Sequence, residues 1–231
     1  MRINKFIAQS GYTSRRKADL LIKNGKVRVN GKNISEPGMI VDKNDLVEIE
    51  GKKLVLEDKF YIKLYKPVSF ITSNYDPYND KDLNDLVNIE QRFFAAGRLD
   101  KDSEGLLIIT NDGEFTNNII HPRFKLEKEY IVKTDKALSK DQIKKFCQGL
   151  NIGNGEITSD SKIKLIGKNT YRVIIHQGYN RQIRRMFDYF GSKVISLKRI
   201  RIGSIKLGDL KKKEYRYFTK EEMKFVEKIL R

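Results

Sequence analysis

The sequence has few of the residues that build metal centres, disulfides and membrane spans. It has 231 residues with one cysteine, Cys147, and two histidines. One cysteine cannot form an intramolecular disulfide, and with two histidines it cannot supply the ligand set of a structural zinc site. No stretch approaches the roughly 20 apolar residues that a membrane-spanning helix needs, and the amino terminus has no signal-like apolar run. We therefore expect a cytoplasmic protein without a metal site or a membrane partner.

The sequence also has no internal repeat, no low-complexity tract and no convincing cofactor loop. Gly153-Asn154-Gly155 is too short and badly placed to bind a dinucleotide or a methyl donor. Hydrophobic residues make up 39% of the chain, which is enough for a buried core. The composition and length therefore predict one or two folded domains and exclude disorder throughout.

Acidic residues are scarce in two segments. The formal net charge is +17, from 47 Lys and Arg against 30 Asp and Glu. Residues 1–32 hold nine basic residues and one acid, and residues 181–216 hold twelve basic residues and three acids, so these segments account for the whole excess. Clustered cations favour binding to a nucleic-acid backbone, where they release counterions. A solvated basic face or a surface for anionic lipid is the alternative.

The first fifty residues predict two short helices followed by a small sheet. Gly11 ends the first helical pattern, and Ser14 is typical of an N-cap for a second helix at Arg15 to Asn24. Gly25 suits the carboxyl end of that helix. The strands expected after it are a hairpin around Asn30-Gly31, a strand near Met39 to Val41 and a strand at Leu46 to Glu50.

The stretch RINKFIAQSGYTSRRKADLLIKNGKVRVNGK resembles the ribosomal-protein S-four-like RNA-binding module over almost its full length. This resemblance predicts an RNA-binding domain at residues 1–51, followed by a short charged linker at 52–59. The basic residues expected to contact RNA are Arg2, Lys5, Arg15, Arg16, Lys17, Lys26 and Arg28. A generic basic helical hairpin is the alternative interpretation.

Residues 60–231 predict a second domain of α+β class built on a mostly antiparallel sheet, because strand patterns outnumber helices without regular alternation. The expected strands are Tyr61 to Leu64, Gly105 to Thr110, Tyr130 to Lys133, Tyr171 to His176 and Val194 to Ile202. The expected helices are Asp82 to Val87, Glu114 to Ile120, Ser139 to Gly149, Asn180 to Phe190 and Lys220 to Leu230. The alternation in Lys198 to Ile202 predicts a half-buried strand with a basic outer edge.

Three ordered motifs in this second domain resemble those of the pseudouridine synthases, in the branch of RsuA, RluB, RluE and RluF. GRLDKDSEGLLIITNDG, which contains Asp100, is similar to the central motif, and Lys128-Glu129-Tyr130 is similar to the second. Asn180-Arg181-Gln182-Ile183-Arg184-Arg185-Met186 is similar to the third. Without the resemblance, Asp100 is a carboxylate on a loop, and a surface turn is the more common meaning of such a residue.

The resemblance implies an enzyme that breaks the glycosidic bond of a uridine, turns the uracil and rejoins it through carbon without a metal or other cofactor. It implies Asp100 as the catalytic carboxylate, Tyr130 as the residue packed against the base, and Arg184 as the cation paired with Asp100. Tyr130 packed in a core as an ordinary strand residue is the alternative for that position. The residues expected to bind substrate are Arg98, Asn180, Arg181, Gln182, Ile183 and Arg185, with Arg181 and Arg185 facing RNA.

The resemblance favours structured rRNA of the large subunit as the partner, with tRNA as a possible second target and a monomer as the expected state. Two other classes are open to a chain with this basic module. One is a non-catalytic ribosome-assembly factor, which has no need of Asp100, Tyr130 and Arg184 together. The other is an RNA methyltransferase, against which the absence of a glycine-rich cofactor loop argues. Within the family, a small-subunit rRNA or tRNA enzyme is the remaining alternative.

Overall fold

The structure of the chain is a computed structural model that describes residues 1–74, 76–79 and 81–231. The chain divides into two compact units, the first formed by Met1–Phe60 with Ile89–Phe93 and the second by Tyr61–Asn88 with Phe94–Arg231. Among the described residues, no helix is both long enough and apolar enough to cross a membrane.

The first unit is a helical pair followed by an antiparallel sheet. Its elements are α1 (Ile3–Gln9), α2 (Arg15–Lys23), β1 (Val27–Val29), β2 (Lys32–Ile34), β3 (Val47–Ile49) and β4 (Lys52–Lys53). The sheet order is β2-β1-β3-β4, with antiparallel neighbours. The predicted N-cap is confirmed, because the Ser14 hydroxyl accepts a hydrogen bond from the Lys17 amide at 3.2 Å. The strand predicted near Met39 to Val41 is wrong, since only an isolated bridge joins Ile40 to Arg2.

The stretch predicted as a linker, 52–59, begins inside the first unit. Its first two residues form β4, and Leu54 is buried in the core that the two helices share with β1 and β3. The Glu57 amide also donates a hydrogen bond to the Gln9 carbonyl at 3.1 Å. Apolar burial and backbone pairing therefore order residues whose charged composition suggested a hinge.

The second unit contains a larger mixed sheet with helices packed on it. Its first elements are β5 (Tyr61–Lys66), β6 (Phe94–Ala95), β7 (Glu104–Thr110), α3 (Gly113–Ile120), a single 3-10 turn (Pro122–Phe124), β8 (Lys128–Thr134) and α4 (Lys140–Cys147). The remaining elements are β9 (Lys162–Gly167), β10 (Thr170–Ile175), α5 (Gln182–Asp188), β11 (Val194–Ile202), β12 (Ile205–Lys206), β13 (Tyr215–Tyr217) and α6 (Lys220–Leu230). The main strand order is β13-β5-β7-β11-β8-β10-β9.

The pairing in this sheet confirms the predicted α+β class with a mostly antiparallel sheet. The pair β7 and β11 is parallel, with Lys198 opposite Glu104 and Arg199 opposite Gly105, and the other pairs are antiparallel. One apolar cluster includes residues of β8, β10, α4 and α5, and a second includes residues of β5, β7, α3 and α6. The two apolar clusters therefore pack on the two parts of the sheet that meet at the parallel pair of β7 and β11.

Two helix predictions in the second unit differ from the structure. The helix predicted at Asp82 to Val87 is wrong, because residues 82–87 form a single turn in which the amides of Leu86 and Val87 donate to the Leu83 carbonyl at 3.1 and 3.0 Å. The Asp82 and Asp85 carboxylates accept from the Asn84 and Asp82 amides as at a helix start, but the turn is not continued. The helix predicted at Asn180 to Phe190 is shorter at both ends, and its first residue is Gln182.

Candidate functional site

A pocket of about 460 Å³ opens in the second unit between the loop before β7, the start of β8 and the segment leading into α5. Asp100, Tyr130 and Ile183, three of the residues expected at the site, line it together. Arg98, Asn180, Arg181 and Gln182 line it as well. Arg184 and Arg185 are not among its lining residues. The structure thus brings most of the predicted site to one cavity.

The loop at residues 96–103 carries Asp100 and is anchored on both sides of it. The Thr72 hydroxyl donates to the Leu99 carbonyl at 2.7 Å and accepts from the Leu99 amide at 3.1 Å. The Leu99 side chain is buried in the apolar core. On the other side, the Ser103 amide donates to the Asp100 carbonyl at 3.0 Å. These bonds hold the backbone of Asp100 while its side chain stays half-buried at the pocket.

The carboxylate of Asp100 is not engaged in structural hydrogen bonding: none of the side-chain bonds among the described residues uses its oxygens. By contrast, the nearby buried Lys66 ammonium donates to the Pro67 and Ser103 carbonyls, each at 2.9 Å. Burial lowers the pKa of Lys66 to about 8, and the charge of Asp100 opposes that shift. Asp100 therefore lies within electrostatic reach of a buried cation and keeps its oxygens available to a ligand.

Tyr130 reaches the pocket because β8 alternates its side chains between the two faces of the sheet. The inward positions are Lys128, Tyr130, Val132 and Thr134, and all four are buried. Tyr130 is 7% exposed and belongs to an apolar core cluster, yet it also lines the cavity. Tyr130 therefore packs as the alternative of a strand aromatic expects and also lines the cavity, and its contact with a base stays a prediction.

The segment entering α5 is fixed by the side chain of Gln182. The Gln182 amide group accepts from the Tyr179 backbone N–H at 3.1 Å through Oε1, and the Gln182 side chain is 4% exposed. Ile183 is also buried, at 3% exposure. Arg181 caps the helix with a left-handed backbone, φ 50°, and its side chain remains substantially exposed. Gln182 and Ile183 therefore shape the wall, and Arg181 lies at the rim.

Arg184 forms its ion pair with Asp102 rather than with Asp100. Its Nε lies 3.3 Å from a carboxylate oxygen of Asp102, and its Nη2 donates to the Asp102 carbonyl at 2.8 Å and to the Ser103 hydroxyl at 3.2 Å. Among the described residues, no ion pair within 4 Å joins Arg184 to Asp100. Burial lowers the pKa of Arg184, while the charges of Asp102 and Asp100 act in the opposite direction.

Asp102 is shared between two arginines. Arg181 also donates to it through both guanidinium nitrogens, at 3.1 and 3.0 Å. Burial alone would raise the pKa of Asp102, but the hydrogen bonds from Arg181 and the charge of Arg184 bring it below its ordinary value. Asp102 therefore connects buried Arg184, behind the loop that carries Asp100, with exposed Arg181 at the pocket rim.

We expect Asp102→Asn to lower the free energy of unfolding by about 1 kcal/mol, because the Asp102 side chain is 46% exposed and solvent screens its ion pairs. The pKa of Asp102 is lower in the folded protein than its ordinary value of 3.8. The ionised carboxylate therefore contributes its full stabilisation above about pH 3.8, and this stabilisation is lost as the pH falls through the pKa of the folded state. Urea unfolding of both proteins at pH 7 and pH 3 measures this difference. An equal difference at both pH values would contradict the ion-pair explanation.

The other predicted basic residues have different surroundings. Arg185 was expected to face RNA, but its guanidinium donates to the carbonyls of Ile152, Gly153 and Asn180 and pairs with Glu156. It therefore closes the 152–156 loop onto α5, and RNA cannot reach it without breaking these bonds.

In the first unit, the predicted RNA contacts form part of a largely exposed basic surface. Arg2, Arg15, Arg16, Lys17, Lys26 and Arg28 are exposed, and Lys5 is half-buried. Lys26 pairs with Glu50 at 3.1 Å, and Arg28 donates to the Gly31 carbonyl at 2.8 Å. The three residues at the start of α2 keep their charges near the amino end of a helix, where the helix dipole disfavours cations.

Two pocket residues were missed or misplaced by sequence reasoning. Arg199 was expected on a basic outer edge, but it is 2% exposed and lines the pocket. The sequence gives Lys128 only as part of a motif and assigns it no role, whereas in the structure Lys128 is 8% exposed and lines the same cavity. The alternation on β8 that brings Tyr130 inward also brings Lys128 inward, so the register of that strand was the available signal.

Comparison with known proteins gives matches that span nearly the whole of this chain. The profile of the family described as RNA pseudouridylate synthase matches residues 60–189, and the S4 domain profile matches residues 1–47. The ribosomal large subunit pseudouridine synthase B of Bacillus subtilis is 40% identical over 230 residues, covering 96% of this chain and 94% of the relative. The dual-specificity RNA pseudouridine synthase RluF of Salmonella typhi is 38% identical, covering 96% and 77%. A crystal structure of a pseudouridylate synthase is similar at TM-score 0.72 and 27% identity, covering 99% of each chain.

Proposed function

The chain belongs to the RNA pseudouridylate synthase family and is an RNA pseudouridine synthase, and we propose that it converts a uridine of large-subunit rRNA with Asp100 as its catalytic carboxylate. The observation that carries the proposal is the cavity that Asp100 and Tyr130 line together. The named activity of the relative in Bacillus subtilis supports the large subunit as the source of the target.

Asp100 has the surroundings that a reacting carboxylate requires. Its backbone is anchored, its side chain is half-buried, and its oxygens are not used by the hydrogen bonds of the described residues. A carboxylate placed in this way can act as nucleophile or base, and partial exclusion of water makes it more reactive. The reaction is an isomerisation without net gain or loss of atoms, so the proposal assigns its steps to side chains of this protein and needs no co-substrate.

Tyr130 provides an aromatic surface for the extruded base. An enzyme that acts on a base in structured RNA must unstack it, which costs a few kcal/mol, and stacking on an aromatic ring returns about 1–3 kcal/mol. Tyr130 already packs within an apolar cluster, so its ring is held before RNA arrives. This preorganisation supports a stacking role with little loss of side-chain entropy on binding.

Arg98 and Arg181 are the proposed phosphate contacts beside the pocket. Arg98 is exposed, and Arg181 retains 46% exposure of its side chain although it binds Asp102. Exposed guanidinium groups bind phosphate in a bidentate manner. Both positions suit the nucleotides that flank a flipped base.

The exposed cluster Arg15, Arg16 and Lys17 is proposed to supply part of the affinity for RNA. We expect the triple change to Gln to weaken binding at low salt and to reduce the slope of log Kd against log salt by about 2–3 units, at about 0.7–0.9 per phosphate contact. Filter binding across a salt series measures the slope. The matched control changes Lys133, Lys140 and Lys144 to Gln, because these lysines are also exposed but lie in the charge-balanced part of the chain. Equal slopes for the two triple variants would contradict the proposed contact.

Release of tritium from RNA labelled at uracil C5 tests the proposed substrate, because that hydrogen leaves when the base is rejoined through C5. Unmodified large-subunit rRNA, small-subunit rRNA and tRNA are each incubated with the purified protein. We expect release from large-subunit rRNA, and additional release from tRNA would extend the target as in the dual-specificity relative. Release from small-subunit rRNA alone would contradict the proposed target, and release from none would contradict the activity.

A further inference from the structure

Two buried cations in the pocket have no role in the proposed function as stated above. Lys128 is 8% exposed and Arg199 is 2% exposed, and both line the cavity that Asp100 and Tyr130 line. They come from β8 and β11, which are paired so that Arg199 lies opposite Tyr130. Their positions on the sheet therefore place both cations on the wall that holds the aromatic ring.

The protein itself leaves these cations incompletely partnered. Arg199 donates through Nε to the Leu106 carbonyl at 2.8 Å and through Nη1 to the Arg98 carbonyl at 3.2 Å, but its buried Nη2 has no partner in the described part of the chain. Among the same residues, the Lys128 ammonium forms no hydrogen bond and no ion pair, although the backbone of Lys128 is paired within the sheet. Burial and the charge of Arg199 lower the pKa of Lys128 to about 8.

Such an arrangement is costly in the free protein and suits a ligand with negative charge. A buried charge without a partner is unfavourable, so perturbed groups of this kind cluster at functional sites. The remaining wall includes Ile175, Ile183 and Leu197, which are apolar. The cavity therefore combines an apolar wall with two cationic donors, which fits a ring that carries electron-rich oxygens.

Uracil acquires such charge during the isomerisation. When the bond between C1′ and N1 breaks with its electron pair on the base, the negative charge is shared by N1, O2 and O4. When C5 then bonds to C1′, which the cleavage left electron-deficient, the electron pair of the base forms the new bond and the negative charge disappears. The proton on C5 then leaves and N1 takes up a proton, so no atom is gained or lost. A phosphate is a poorer fit, because the proposed phosphate contacts Arg98 and Arg181 are exposed whereas Lys128 and Arg199 are buried.

We propose that Lys128 and Arg199 form an oxyanion site that binds the carbonyl oxygens of the target uracil and stabilises the detached base. This inference rests on the proposed function. Donors that are aimed at developing charge are typically worth a factor of about 10²–10³ in rate when one of them is removed. Lys128 supplies a positive charge only in its protonated form, so the site should weaken as that form is lost.

The test compares Lys128→Met with the matched control Lys133→Met on the exposed face of the same strand. Single-turnover tritium release at saturating large-subunit rRNA should fall about 10²-fold or more for Lys128→Met and stay at the wild-type level for Lys133→Met. The Kd for the same RNA should change less than about threefold. The Tm of Lys128→Met should equal or exceed that of the wild type, because a buried charge without a partner is removed.

The pH profile of the rate separates a charged role from a packing role. The titratable or charged groups that line the pocket around Lys128 are Arg98, Asp100, Tyr130, Tyr179, Arg181 and Arg199. We expect the wild-type rate to fall as the pH rises through about 8, where Lys128 loses its proton. This fall should be smaller in the residual rate of Lys128→Met, in which Lys66, whose pKa is also lowered to about 8, still titrates near Asp100.

Several outcomes would overturn the proposal while the proposed function stands. One is a rate for Lys128→Met within about threefold of an active wild type. Another is a weaker Kd with an unchanged rate, which would assign Lys128 to a phosphate. A third is a lower Tm together with the lost rate in both Lys128→Met and Lys128→Gln, which would make the residue structural. Failure of the proposed function is distinct, because the wild type itself would then release no tritium.

Discussion

Asp100→Asn is expected to reduce single-turnover formation of pseudouridine by at least about 10⁴-fold, the loss that removal of an essential catalytic group typically causes. The amide is nearly the same size as the carboxylate but can act neither as a nucleophile of comparable strength nor as a base. Because none of the hydrogen bonds among the described residues uses the Asp100 carboxylate, the substitution should leave the fold unchanged. Tritium release under single-turnover conditions measures the rate, and filter binding measures the Kd, which should stay within about twofold.

The matched control for this substitution is Asp209→Asn. Asp209 is an exposed acid of the same unit, and its substitution makes the same change in net charge. We expect its rate and Kd to equal those of the wild type. Turnover retained by Asp100→Asn would remove Asp100 from the chemistry. A loss of rate that appeared equally in Asp209→Asn would attribute the effect to overall charge.

Gly105→Ala is expected to lower the free energy of unfolding by at least about 2 kcal/mol and to impair catalysis. Gly105 has φ +110°, where a residue with a side chain is strained by about 1–3 kcal/mol. A Cβ at this position would lie 2.2 Å from the carbonyl oxygen of Arg199 and 2.7 Å from its amide nitrogen. The parallel pair β7 and β11 must therefore separate, which adds an overpacking cost of about 1–3 kcal/mol and shifts Arg199 in the pocket.

Urea unfolding of Gly105→Ala and Gly113→Ala measures the effect on stability. Gly113 is the first residue of α3, and a Cβ there meets nothing within 4 Å, so alanine should be neutral or stabilising by up to about 1 kcal/mol. A Gly105→Ala protein as stable as the wild type would contradict the close approach of β7 and β11 in the structure.

The regular elements of the second unit could be predicted closely where the local pattern agreed with the tertiary structure. The helix at Lys220 to Leu230 and the strand at Val194 to Ile202 are confirmed with their predicted bounds. The edge strand β9 was missed, because most of its residues are exposed and few of them contribute a buried face. The helix predicted at 82–87 is wrong because its helix-start signal is real but is followed by only one turn, which closes on the Leu83 carbonyl.

Part of the membership of the pocket could be predicted from the sequence, but the pairings of its side chains could not. The resemblance named Asp100, Tyr130 and Ile183, and the structure brings them to one cavity. The partner of Arg184 could not be predicted, because Asp100 and Asp102 are two residues apart and only the folded loop decides which of them faces the guanidinium. Arg199 could not be placed from the sequence because the pairing of β11 with β8 shifts register between Arg199 and Arg201, which breaks the simple alternation.

One strand of the pocket presents two kinds of side chain to the cavity. The two-residue period of β8 places Tyr130 and Lys128 on the same face. An aromatic ring and a cation are therefore presented side by side without a separate loop for each. Substitution of Glu129, which faces the other side and pairs with Arg201 at 2.6 Å, bears on stability rather than on the base.

Carbodiimide mapping of pseudouridine in large-subunit rRNA that has been incubated with the purified protein tests the central claim most directly. Primer extension on treated RNA stops beside each pseudouridine, so it reports both the product and its position. We predict a new stop at a defined uridine with the wild-type protein and no such stop with Asp100→Asn. No new stop with the wild type, or the same stop with both proteins, would contradict the account.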